Sequence, residues 1–173
     1  LIHGTNRHEF GDFCMTTSIE EQKEAAIKLL EPLCKNRKVF GVSGSGYHDS
    51  LDTKAEKTII ERFGEYTGFI LNMKIKGTSR TLNMMHGSTQ AYIYREQVMG
   101  REALFMKWAE GLGKLDKFDI IIRAHIHVFM HIHQNRQHIV VIPAWQAFTP
   151  SRYTMKSYGK LQPDLGACLL LID

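Results

Sequence analysis

Residues 118–142 read FDIIIRAHIHVFMHIHQNRQHIVVI, and the placing of this stretch decides the fold. Residues 118–122 form a continuous apolar run. Such a run suits a strand covered on both faces, as in a parallel sheet packed between other layers. Residues 138–142 are a second apolar run, joined to the first by an arm that turns at residues 134–137, so the second half of the stretch reads as a hairpin. Between the runs lie four histidines at alternating positions: His125, His127, His131 and His133.

On an extended strand, residues two apart share a face and stand about 6.5–7 Å apart. From His125 to His133 the span is roughly 26 Å. One ion with bonds of about 2 Å cannot gather all four. Position separates the pairs. His125 and His127 directly follow the buried strand at its C-terminal end, the edge where open α/β sheets bind ligands. His131 and His133 lie in the hairpin arm, where they read as one polar face of a half-exposed strand. His138 follows the turn.

Working outward, Ser18 reads as an N-cap with Glu21 completing a capping box. Ala26, Leu29, Leu30 and Leu33 share a face, so a helix is expected at residues 18–34. Residues 38–43 read as a short strand running into a glycine-punctuated turn at residues 44–49, GSGYHD. Ala55, Ile59 and Phe63 mark the buried stripe of a second helix. Residues 69–76 and 80–86 read as a hairpin that delivers His86 to a strand end. Leu104, Phe105, Trp108 and Leu112 mark a third helix, closed by Gly111 and Gly113, and residues 167–172 read as a closing strand. Three strand ends thus each deliver a histidine to a loop: His48, His86 and His125 with His127. Sites assemble from separate segments at such loops.

The bulk properties exclude several classes. The 173 residues are expected to form one domain, and no apolar run approaches the roughly 20 residues of a membrane-spanning helix. Cys14, Cys34 and Cys168 are too scattered for a zinc ribbon, and their odd number suggests a reducing, cytoplasmic setting. The net charge of +4 permits an anionic partner without requiring one.

Taken in order, GYHD at residues 46–49, MMHG at 84–87 and AHIH at 124–127 resemble the last three blocks of the calcineurin-like metallophosphoesterase family. The opening LIHG and the tail beginning IPAWQAFTP look like phage and prophage members. The resemblance spans most of the chain, though each motif by itself is of low specificity. It implies a four-layer αββα sandwich with mixed sheets. It also implies two divalent ions (Mn, Fe, Zn or Ni) that activate a water against a phosphate ester. By the family pattern His86 and His125 would hold one ion and His127 the other. His48 would stand beside the leaving group as proton donor, with Asp49 orienting it. The implied substrate is a phosphodiester, including DNA or RNA, with no membrane partner, in the cytoplasm of a host for a phage-encoded protein.

Two departures qualify this expectation. Tyr47 stands where the family has a metal-binding Asn; a neutral phenol is a poor ligand, so either a neighbour such as Ser45 substitutes or one ion is held weakly. The family's D-x-H and G-D blocks are absent, and LIHG resembles the residues immediately C-terminal to G-D. The bridging carboxylate and the N-terminal strand or strands would then lie upstream of Leu1. Gly11 and Asp12 come after no apolar strand and do not fit that role. His86, His125 and His127 bring no anionic ligand, so this chain by itself is not expected to hold a binuclear site. The alternatives are a catalytically inactive interaction or structural module on the same fold, and a mononuclear zinc protein built on His86, His125 and His127.

Overall fold

The structure, a computed structural model, describes residue 2 and residues 16–45, 54–87, 95–134, 136–145 and 163–172. The class is mixed α/β. The chain divides into two compact units, one running to Phe69 and the other comprising Ile70–Trp145 with the segment that starts at Pro163.

In the first unit, helix α1 spans Ile19–Cys34, and the Ser18 side chain accepts a hydrogen bond from the Glu21 amide as the capping box requires. Strand β1 (Phe40–Gly41) is only two residues long. It pairs in parallel with β2 (Glu65–Tyr66), which the sequence pattern does not reveal because two residues carry no period. Helix α2 spans Ala55–Glu61. The core here joins Ile2, Ala26, Ala55 and Ile59. The expected face of α1 is rotated: Ala26 and Leu30 pack inward, whereas Leu29 and Leu33 are exposed. The small Ala26 lets α1 approach α2, and that contact fixes the rotation.

The second unit is built on a five-stranded mixed sheet in the order β3-β4-β5-β7-β6. Strands β3 (Ile70–Lys74) and β4 (Thr81–Met85) form the expected antiparallel hairpin, and so do β6 (Met130–Gln134) and β7 (Gln137–Val141). Strand β5 (Ile120–Arg123) lies between them, parallel to both neighbours. Its burial confirms the reading of residues 118–122 as a strand with two covered faces: Ile120 and Ile121 are buried. Helix α3 (Arg95–Gly111) sets Met99 and Ala103 against Ile121, Ile139 and Val141.

Two expectations need correction. Leu104, Phe105, Trp108 and Leu112 do mark a helix, but all four are exposed. Both sides of α3 carry apolar residues, and the side that meets the sheet has the small Ala103, which permits close approach. Residues 167–172 join no ladder among the described residues; the only pairing nearby is the bridge Ala144–Leu165. Their alternation is present, but Leu169 and Leu171 remain exposed.

The β4–β5 register is fixed at its N-terminal end by Asp119. Its carboxylate accepts from the Thr81 amide at 2.9 Å and the Thr81 hydroxyl at 3.0 Å. Burial alone would raise the Asp119 pKa; the Thr81 bonds, with Lys117 and Arg80 nearby, outweigh it and hold the carboxyl below its usual range. A folded-state value below the unfolded one lends stability that is complete above the ordinary carboxylate range, about pH 4. That stability is lost as pH falls through the folded-state value. Urea unfolding is therefore expected to show Asp119→Asn less stable than wild type by about 1–3 kcal/mol at neutral pH. The gap should narrow as pH falls below the ordinary carboxylate range and the wild-type carboxylate protonates; a gap independent of pH would refute this role.

Candidate metal centre

Because β4 and β5 are parallel neighbours, their C-terminal ends open on the same edge of the sheet. His86 follows β4 directly, and its carbonyl accepts from the Ala124 amide at 2.9 Å, extending the ladder by one bond. His125 is the next residue. The two imidazoles meet edge to face, with ring centroids 5.0 Å apart and His86 Nε2 3.0 Å from His125 Nδ1. Residues 39 positions apart in sequence thus form one pair of nitrogen donors.

The backbone here is unusual. His125 has φ +75° and His127 φ +55°, left-handed values that non-glycine residues adopt at a cost. Gly87, after His86, has φ +91°, which any side chain would strain. The strained loop is held from three sides. The Ile126 amide donates to the Ala124 carbonyl at 3.0 Å. The His127 carbonyl accepts from the Asp164 amide at 2.8 Å. The Asp164 carboxylate accepts from the Phe129 amide at 2.7 Å, a charge-assisted bond.

Under the loop lies an ion pair between a buried arginine, Arg123, and a half-buried glutamate, Glu102. Arg123 is 7% exposed, and its guanidinium meets the Glu102 carboxylate through two nitrogens. It also donates to Asn83 Oδ1 at 2.7 Å and to the Ile122 carbonyl at 2.8 Å. Burial lowers the Arg123 pKa, and Glu102 opposes that shift. A shallow recess beside His125 is lined by Gly87, Met99, Glu102, Arg123, Ile139 and Val141. Sequence reasoning missed Glu102, Arg123 and Asp164. Arg123 could have been flagged as a charge inside an apolar strand; Asp164 gave no signal, since its partners Phe129, His127 and Ala144 all lie far from it in sequence.

The donor chemistry fits half of a coordination sphere. Two imidazole nitrogens on one tetrahedral zinc, each about 2.0–2.1 Å from it, stand roughly 3.3–3.4 Å apart. The His86–His125 pair at 3.0 Å needs to open by only a few tenths of an ångström. Among the described residues no group of three or more His, Cys, Asp or Glu converges on one point. His127 therefore does not join the pair as a third donor there. His48, Asp49 and Tyr47 lie outside the described residues, as do Gly11, Asp12 and Cys14. Ser45 is described; the adjacent Gly44 amide donates to the buried Glu56 carboxylate at 2.6 Å.

Three further histidines form a separate cluster on the β6–β7 hairpin. His133 and His138 are register partners and stack at 4.1 Å, 2° from parallel. His131 Nε2 lies 3.0 Å from His138 Nδ1. Burial first, then His133, His131 and Arg80, lower the His138 pKa, favouring its neutral form.

No family model matches the sequence, and no curated protein matches it. Among solved structures, wild-type Vps29 from Entamoeba histolytica, crystallised with Zn2+, aligns at 16% identity and TM-score 0.45, covering 71% of this chain and 67% of that one. A conserved uncharacterized protein from Streptococcus pneumoniae TIGR4, described as a predicted phosphoesterase, aligns at 7% identity and TM-score 0.43, covering 72% and 67%. At these values no residue role passes from either protein to this chain.

The Arg123–Glu102 pair generates a stability expectation. Arg123→Met leaves Glu102 and Asn83 without their donor, and urea unfolding should register a loss of about 3 kcal/mol, in the range for breaking a buried pair. A change under about 0.5 kcal/mol, the size of an ordinary surface substitution, would show that the pair does not support the floor of the loop.

Proposed function

We propose that the natural full-length protein is a metal-dependent phosphoesterase acting on phosphodiesters, nucleic acid included. The observation that carries this reading is the His86–His125 donor pair, set at 3.0 Å on the C-terminal edge of two parallel strands. The order of the GYHD, MMHG and AHIH blocks along the chain supports it.

In this reading His86 and His125 hold one divalent ion and His127 faces a second. Bound ions of this kind lower the pKa of a coordinated water and neutralise charge developing on phosphoryl oxygens. The chain's own residues do the rest. The Arg123–Glu102 pair fixes the floor beneath His125, and the Asp164 clasp fixes the backbone of His127. By the family resemblance, His48 would serve as proton donor to the leaving oxygen, and Asp49 would orient it by accepting from its other ring nitrogen. Imidazole donors admit Mn, Fe, Zn or Ni, and the choice among them does not alter these roles.

The test uses the full-length natural protein, loaded separately with Mn2+ and Zn2+, on bis(p-nitrophenyl) phosphate and on p-nitrophenyl phosphate. Diester cleavage is expected to require metal and to stop with a chelator. His86→Ala and His125→Ala should each lower the rate by at least the roughly 10–100-fold that loss of an outer-shell partner costs, with circular dichroism unchanged. Cleavage of the monoester alone overturns the diester assignment. Bound metal without cleavage of either ester favours a non-catalytic interaction module on this fold.

A further inference from the structure

The hairpin histidines have no part in the function proposed above. The geometry points to a second cation site: a two-imidazole chelate of His131 and His138 that takes a borderline divalent transition ion such as Ni2+, Cu2+ or Zn2+.

Three observations carry it. First, the donors already face each other: His131 Nε2 and His138 Nδ1 are 3.0 Å apart, the same separation as in the His86–His125 pair. Second, the platform is rigid. Both residues sit on ladder-paired strands, where Val140 opposes His131 and His133 opposes His138. His133, the register partner of His138, stacks flat on it at 4.1 Å. Third, the site is reachable. His131 and His133 are exposed, and the helix-covered face of the hairpin is taken by Met130, Ile132, Ile139 and Val141 instead. Arg80 is the cation that acts on His138, and Asp119 engages it at 3.8 Å.

The chelate is bidentate, consistent with the absence of any converging group of three such side chains among the described residues. Water completes the sphere. Imidazole selects for the transition ions over Mg2+ and Ca2+, which prefer oxygen. The site is distinct from the loop pair: His138 is in register with Ile120 at the start of β5, five residues before His125, roughly 16 Å along the strand.

Equilibrium dialysis of the full chain against Ni2+ tests this independently of any hydrolytic activity. His131→Gln and His138→Gln are each expected to weaken one Ni2+ ion by about tenfold or more, the scale of losing a ligand or its support. His133→Gln should leave that ion within about twofold, and ion binding at His86 and His125 should persist in all three variants. The thermal midpoint confirms that each variant is folded. Should one hairpin variant misfold, nickel-induced broadening of the His131 and His138 ring resonances in the wild type gives the same answer. Ni2+ binding unchanged in His131→Gln, no broadening of those rings, or an equal loss in His133→Gln would overturn the two-histidine chelate.

Discussion

His86 and His125 meet because β4 and β5 run parallel in one register, with Leu82 beside Ile120 and Met84 beside Ile122. A slip of one residue would move every side chain of one strand to the other face and carry the imidazoles apart. Asp119 holds the register at one end through Thr81, and the Ala124–His86 backbone bond holds it at the other. Between them the Arg123 guanidinium reaches across to Asn83 on the same face. The pair of nitrogen donors is thus the visible end of a ladder fastened along its whole length.

The parts of this fold that were legible in the sequence are those with strong periodicity or a local chemical signature. The run at residues 118–122 announced a covered strand, and Ser18 with Glu21 announced the start of α1. The hairpins at residues 69–86 and 130–141 were legible from turn residues between apolar segments. What stayed hidden was rotational or long-range. Helices α1 and α3 carry apolar residues around much of their circumference, so periodicity found the helices but not the side that packs. In both, a small residue, Ala26 or Ala103, marks the true contact. Strand β2 was too short to show a pattern, and residues 167–172 have the pattern of a strand but pair with no strand among the described residues.

For the site, the sequence placed His86, His125 and His127 at strand ends, and the structure sets them there. The supports were invisible. Glu102, Arg123 and Asp164 act across 20 to 40 residues of chain, and nothing in their immediate neighbourhood signals the partner. This division is physical. A ligand-bearing residue is announced by its own chemistry, whereas a residue that orients it is defined only by where the fold brings it.

The positive φ values of His125 and His127 bear on how this chain can change over time. A left-handed backbone costs most residues of order 1–3 kcal/mol, whereas glycine and asparagine adopt it at less cost. Replacing either histidine by one of these would relieve strain and make the folded chain sturdier while discarding an imidazole. At these two positions the most stable sequence is therefore not the one present. The fold thus holds both imidazoles on backbone that favours other residue types.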